Sequence, residues 1–351
     1  MPSEPEILFE RRGAAGVVSL NRPEVLNAVT HNMVRLLAAQ LDIWKNDAGV
    51  TRVIIRANGE RAFSAGGDLR EVTEQGRTGR QDEALVFFRD EYLLNAAIKR
   101  YPKPYVALID GIVMGGGVGI SVHGSHRIAG DRFLFAMPEV GIGFFPDVGG
   151  TWFLPRLKGE IGTFCALTGE RLKATDAVSA GVANYRISSN RFSELLEALC
   201  GDVSVDAILA AFAEPVTEGD VMARRGLIDR LFAGNRIEDI LARFDREAKA
   251  GGTEAEWASK IAANIRGKSP TSLRIALEQM RRGKNWSFEE CMKAEFRIVS
   301  RVMSEPDFYE GVRAVIVDKD NKPQWKPATL DGVSTEAIEK HFAPLAKELP
   351  V

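Results

Sequence analysis

Apolar positions recur along this chain with two different periods, and the change from one to the other divides it. In the first half the apolar runs are short and dense. Residues 16–20 and 52–57 predict strands. Residues 103–109, nearly all apolar after Pro104, predict a buried one. Residues 126–129 and 133–136 predict two shorter strands. Between them, residues 30–44 take helical spacing. Met33, Leu36, Leu37, Leu41 and Trp44 fall on one stripe, and Thr30 stands where an N-cap belongs. Strands alternating with helices predict an α/β core. After Asn190 the pattern turns helical: 192–199, 205–212, 221–232, 237–248, 254–265, 271–282 and 288–303 all read as helices, several separated by glycine-containing breaks. We therefore expect an α/β core over residues 1–190 and a helical region over 191–351 that packs on it. No low-complexity tract, repeat or long linker interrupts either.

One apolar run breaks its own pattern. Residues 133–147 carry only two acidic side chains, Glu139 and Asp147, among Met137, Pro138, Val140, Ile142, Phe144 and Phe145. A carboxylate held against such a wall is poorly solvated, so its pKa rises and its ionised form becomes a stronger base or nucleophile. A buried acid standing alone is more often an N-cap or half of an ion pair. Two glycine-rich segments change that weighting. Phe63-Ser-Ala-Gly-Gly-Asp-Leu69 follows the strand ending at Ala57. Ile109-Asp-Gly-Ile-Val-Met-Gly-Gly-Gly-Val-Gly119 leaves the strand at Ile109 and is expected to enter an apolar helix through Val118, Ile120 and Val122. Either segment alone is a tight turn. Together they predict two backbone N–H groups aimed at an oxygen that gains negative charge, with a carboxylate close by.

Composition narrows the field. The chain has 351 residues, 45% hydrophobic and 27% charged, with a net charge of -2. That is ordinary for a globular protein and gives no reason to expect nucleic acid. Cys165, Cys200 and Cys291 are widely spaced and odd in number, which argues against a disulfide framework or zinc site. His31, His123, His126 and His341 lack metal-ligand spacing, and we read His123 and His126 as structural. Gly267-Lys-Ser269 lacks the first glycine of a phosphate-binding loop, since Ala262 stands there, and 119–123 lacks the last glycine of a nucleophile elbow. The first ten residues are acidic, without the apolar core of a signal peptide or the arginines of a transit peptide, so a cytoplasmic protein is expected. No apolar run reaches the roughly 18 residues of a membrane span.

At these residues the sequence resembles the crotonase (enoyl-CoA hydratase/isomerase) superfamily. The matching elements are Leu20-Asn-Arg-Pro23 with Asn27-Ala28, Ala62-Phe-Ser-Ala-Gly-Gly-Asp68, Met114-Gly-Gly-Gly117, Met137-Pro-Glu139, Pro146-Asp-Val-Gly-Gly150 and Leu167-Thr-Gly169. Phe87-Phe-Arg-Asp-Glu-Tyr-Leu-Leu-Asn95, Asp307–Asp320 and Pro323-Gln-Trp-Lys-Pro327 point further, to the acyl-CoA hydrolases of that superfamily. The resemblance spans roughly residues 5–328. It implies an α/β fold, a crotonase-like spiral of ββα units followed by a helical C-terminal region.

The same resemblance implies an acyl-CoA substrate. Hydratases of the superfamily carry one of two catalytic glutamates where this chain has Gly119, while the second is matched by Glu139. Hydrolysis of a short β-hydroxyacyl-CoA, 3-hydroxyisobutyryl-CoA of valine breakdown first among them, is therefore expected. By resemblance, Gly67 and Gly116 would bind the thioester oxygen. Glu139 would attack the carbonyl or activate water. Asp147 would bind the acyl hydroxyl or assist proton transfer, and Glu91 would orient the substrate. Coenzyme A would lie along Asn27, Ala28, Ala65, Gly66, Asp68 and Leu69, with basic side chains on its phosphates. No metal, redox cofactor, nucleic acid or membrane partner is implied, and a homo-oligomer is left open. The alternatives are an enoyl-CoA hydratase, isomerase or decarboxylase acting on another acyl-CoA, and a non-catalytic acyl-CoA-binding protein.

Overall fold

Residues 4–351 are described by a computed structural model; Met1, Pro2 and Ser3, which begin the stretch read above as lacking a leader, lie outside the described residues. The strands are β1 (Ile7–Arg12), β2 (Ala15–Leu20), β3 (Arg52–Ala57), β4 (Ala62–Ser64), β5 (Tyr105–Ile109), β6 (Ile112–Met114), β7 (His126–Ala129), β8 (Leu134–Ala136), β9 (Leu172–Lys173) and β10 (Tyr185–Arg186). They form a six-stranded sheet in the order β1-β2-β3-β5-β7-β10 and a four-stranded sheet in the order β4-β6-β8-β9. In the large sheet β1 and β2 are antiparallel and the remaining neighbours parallel. In the small one β9 alone runs antiparallel. Consecutive strands part company: β3, β5 and β7 enter the large sheet, and β4, β6 and β8, which follow them, enter the small one. Each turn lays one strand in each sheet before a helical segment returns the chain. This is the spiral of ββα units that the resemblance implied.

The chain divides into two compact units, neither of them continuous. One comprises residues up to 68, 90–136 and 171–223; the other comprises 69–89, 137–170 and 224–351. The sequence's change of texture near residue 190 does not mark a division, because Phe192–Cys200 and Val205–Phe212 belong to the first unit. Their Leu195, Leu196, Leu199, Val205, Ile208 and Leu209 share a buried cluster with Ala15, Val17, Ile54, Val106, Leu108 and Ile128 of the large sheet. Fully burying each such aliphatic side chain stabilises by roughly 1.5–3 kcal/mol. Two helices from the second half of the sequence thus cover an apolar face of the large sheet.

Within the first unit, the helix His31–Asn46 starts where Thr30 accepts a hydrogen bond from Met33 N at 3.1 Å. It buries Met33, Val34, Leu37, Leu41 and Trp44, and leaves Leu36 exposed. At about 100° per residue, Leu36 falls outside the arc that Val34 completes. The helix expected after residue 115 is also shorter than its apolar run suggests. It covers Gly116–Gly119 only, and Ser121 folds back to donate to Gly117 O at 2.7 Å. Three glycines in four residues give little intrinsic helix stability.

The second unit is helical. Pro270–Gly283 and Phe288–Val302 are its long members near the glutamate segment. Phe164, Phe232 and Phe244 pack edge to face, with ring centroids 5.8 and 5.1 Å apart. The single helix expected over 221–232 is two, Asp220–Ala223 and Arg225–Leu231, and the break falls at the boundary of the units.

Candidate active site

In the first unit, β6 and β8 lie side by side with Met114 opposite Ala136. The chain leaves β6 into Gly115-Gly116-Gly117 and leaves β8 into Met137-Pro138-Glu139. Gly67 forms a parallel bridge with Val29. That bridge engages the neighbours on either side: Val29 N donates to Gly66 O at 2.9 Å, and Asp68 N donates to Val29 O at 2.8 Å. The Gly67 N–H takes no part in it. Gly116 opens the short helix, so its N–H is one of the orphan donors of a helix start. The two glycines are in contact. A Cβ on Gly116 would stand 3.2 Å from Gly67 N and 2.7 Å from Glu91 Oε1. Only glycine lets the backbone come this close, and the closeness sets two N–H groups and a carboxyl in one place. Glu91 and Asn95, one turn apart on the helix Gln81–Lys99, are both buried.

The segments expected to meet coenzyme A are held largely by their own bonds. The Asn27 side chain is buried. It donates to Asn58 O and Ala62 O at 2.9 and 3.0 Å and accepts from Arg22 N at 2.8 Å. Ala28 O accepts from Arg22 at 2.7 Å, and Ala65 N donates to Leu26 O at 2.9 Å. Asp68 pairs with the same Arg22 at 3.2 Å. Gly66 adopts a φ of 121°, open to glycine. Leu69 begins the helix Leu69–Arg77 of the other unit. The Asn27 side chain is therefore a brace for the turn. His126 pairs with Asp206 at 3.0 Å, in keeping with a structural role.

In the second unit, Glu139 opens the 3-10 turn Glu139–Ile142, and Phe144 N donates to its carbonyl at 3.0 Å. Its carboxyl is buried, and Oε2 makes no hydrogen bond among the described residues. Phe144 stacks on Phe145 and Phe88 at centroid distances of 4.5 and 5.5 Å, and packs on Phe308 at 5.1 Å. Burial, reinforced by the neighbouring charge of Asp147, pushes the Glu139 pKa well above the usual carboxylate range.

Asp147 is 5% exposed and sits on a strained loop. Val148, a β-branched residue, has a φ of 48°, and Gly149 follows at 86°. A left-handed valine costs on the order of 1–3 kcal/mol and persists only where its surroundings enforce it. Two buried side chains do so. Glu295 accepts from Gly149 N and from Thr151 N, both at 2.8 Å. Gln279 donates to Pro146 O at 2.9 Å and to Thr151 Oγ1 at 2.7 Å. Burial outweighs the bonds Glu295 receives and, with the charge of Asp147, pushes its pKa up to about 8. Sequence reasoning missed both residues. The available signal was a polar residue on the apolar stripe of an amphipathic helix: Glu295 falls in register with Cys291, Met292, Val299 and Val302, and Gln279 with Ser272, Ile275, Ala276 and Gly283.

The site residues thus fall in two groups, Gly67, Gly116 and Glu91 in one unit and Glu139 with Asp147 in the other. A sequence model of the enoyl-CoA hydratase/isomerase family matches residues 15–342. The chain belongs to this family. It is 45% identical to the 3-hydroxyisobutyryl-CoA hydrolase, mitochondrial, of Danio rerio, over 97% of this chain and 90% of that protein. It is 42% identical to the Homo sapiens protein of the same name, over 97% and 89%. Among solved structures, a carnitinyl-CoA dehydratase from Mycobacterium thermoresistibile superposes with a TM-score of 0.92 at 39% identity, covering 98% of each chain. An enoyl-CoA hydratase from Rhodobacter sphaeroides 2.4.1 superposes with a TM-score of 0.90 at 37% identity, covering 99% of this chain and 100% of its own. The fold is that of the crotonases. The hydrolases named here are mitochondrial, so they lend no support to the expectation of a cytoplasmic protein. Among the described residues, no helix is long and apolar enough to cross a membrane.

Proposed function

We propose that the protein hydrolyses the thioester of a short β-hydroxyacyl-CoA, 3-hydroxyisobutyryl-CoA first among them, to the free hydroxy acid and coenzyme A. The observation that carries this reading is the Glu139 carboxyl, buried and with one oxygen unengaged, in a chain that offers Gly119 where a hydratase needs a second carboxylate. The sequence relatives named as hydrolases support the same choice. In this reading the N–H groups of Gly67 and Gly116 bind the thioester oxygen as it gains charge. Glu139 attacks the carbonyl carbon, the C–S bond breaks, and coenzyme A leaves as its thiol after taking a proton. Water then cleaves the mixed anhydride and restores the carboxylate. Glu139 acting instead as the base that activates water gives the same products; solvent 18O entering its carboxyl in a single turnover would establish the covalent route, with water attacking the Glu139 carbonyl of the anhydride. Asp147 accepts a hydrogen bond from the acyl hydroxyl, and Glu91 orients the substrate. Coenzyme A runs along Asn27, Ala28 and residues 65–69, arriving as part of the substrate. The proposed reaction calls on no metal or redox cofactor, and no nucleic acid or membrane is a partner.

The second reading, an enoyl-CoA hydratase or isomerase, draws on the names of the two superposed structures. A panel of acyl-CoA thioesters decides between them. Release of free coenzyme A from 3-hydroxyisobutyryl-CoA, without loss of the enoyl absorbance of crotonyl-CoA, is the expected result. Hydration of crotonyl-CoA without thiol release would overturn the hydrolase reading.

A further inference from the structure

The loop that carries Asp147 closes one backbone bond of its own, from Gly150 N to Asp147 O at 2.7 Å, across two residues in a strained conformation. Val148 and Gly149 both lie in the left-handed region, and one of them is a β-branched residue that resists it. Two helices supply what the loop lacks. From Phe288–Val302, Glu295 offers one oxygen to Gly149 N and the other to Thr151 N, each at 2.8 Å, so the two amides flanking Gly150 are gripped by a single planar group. From Pro270–Gly283, Gln279 reaches Pro146 O at 2.9 Å, on the other side of Asp147. Its amide also donates to Thr151 Oγ1 at 2.7 Å, and that hydroxyl bonds to Glu295 in turn. The end of the same helix presses on the loop: a Cβ at Gly283 would stand 2.0 Å from Thr151 O. Both polar side chains are fully buried, where an unmet hydrogen bond is costly and a met one fixes geometry. They touch the loop on both sides of residue 147, which a fold needing only a well-packed turn would not require of two buried polar groups.

Resting on the acyl-CoA reading above, we infer that Glu295 is a positioning residue for thioester hydrolysis, and that with Gln279 it clamps residues 146–151 so that Asp147 is held to read the hydroxyl of the acyl group. Glu295 does not itself touch substrate in this scheme. It acts through the Gly149 and Thr151 amides, and its effect is on selectivity as well as rate. Replacing it by glutamine keeps its size but turns an NH2 group toward one of those amides, donor against donor. The loop then loses one of its two anchors and Asp147 its fixed place.

The test compares kcat/KM for 3-hydroxyisobutyryl-CoA and isobutyryl-CoA in wild type, Glu295→Gln, Gln279→Leu, Asp147→Ala and the double variant Glu295→Gln/Asp147→Ala, with folding checked by circular dichroism and Tm. Wild type is expected to prefer the hydroxylated ester by on the order of 10². Glu295→Gln should shrink that preference about tenfold, through kcat more than KM. Gln279→Leu should shrink it in the same direction, and it decides the matter if Glu295→Gln does not fold. In the Asp147→Ala background, Glu295→Gln should leave the remaining preference unchanged, because both act on one contact. Folded variants that keep the wild-type preference would overturn the inference alone, as would a further loss of preference in the double variant. A wild type that cleaves neither ester would remove the functional reading, and the inference with it.

Discussion

Glu139 is a carboxyl kept dry where a surface position would cost nothing. A structural acid recovers the cost of burial through hydrogen bonds, yet its Oε2 makes none among the described residues. Glu139→Gln keeps the shape and removes the charge. We expect kcat to fall by about 10³ or more with the fold intact, read by steady-state thiol release and circular dichroism. Retention of activity within threefold of wild type would take Glu139 out of the mechanism. The raised pKa also fixes the sign of the pH dependence. Only the ionised form can attack or take a proton, so activity should rise with pH through a midpoint above the ordinary carboxylate range. Full rate persisting down to about pH 4, where a free glutamate titrates, would contradict it.

The site is assembled by turns and caps at the scale of elements. Gly116 begins a four-residue helix, and a side chain there meets Gly67 N and Glu91 Oε1. Gly116→Ala should therefore displace the proposed oxyanion donor and lower kcat by on the order of 10²; a wild-type rate would show that the turn can shift without harm. The helix bearing Glu295 is fixed at its start by a reciprocal cap. Ser287 Oγ accepts from Glu290 N at 3.2 Å, and Glu290 accepts from Ser287 N at 2.7 Å. Ser287→Ala should cost about 1 kcal/mol in a urea titration. The cap can be recognised in Ser287-Phe-Glu-Glu290, and so can most elements: 52–57, 126–129 and 205–212 carry the bounds that their apolar spacing predicts. Where spacing misleads, a physical term outweighs it. Glycines at 115, 116, 117 and 119 shorten an apolar helix, and Arg224 stands where one expected helix becomes two.

At the scale of the whole molecule, the buried acids make stability depend on pH. Glu295 has an ordinary value of 4.5 and a folded value of about 8. A raised carboxyl pKa means the folded state holds a proton that the unfolded state gives up. The Glu295 contribution is therefore present below about pH 4.5 and is lost as pH rises through about 8. Glu139 acts with the same sign. Urea midpoints across this range should decline more steeply with pH for wild type than for Glu295→Gln. Equal slopes would show that Glu295 titrates as an ordinary carboxyl.

The alternation of strands and helices, both glycine turns, Glu139 and Asp147 as the acids of the apolar run, and the family are all legible along the chain, because each is written in residues close together in it. Local steric preference and apolar spacing act over a few residues, so they can be read without knowing what packs where. Packing in three dimensions was needed to show that strands in sequence part into two sheets, that the two compact units interleave along the chain, and that Asn27 is a brace. That packing set Glu91 against Gly116, and brought Glu295 and Gln279 from helices more than a hundred residues downstream onto the loop of Asp147. A polar residue on an apolar helix stripe announces a buried partner but not which one. The partner is chosen when chain segments distant in sequence are packed together, and that choice has no local signature.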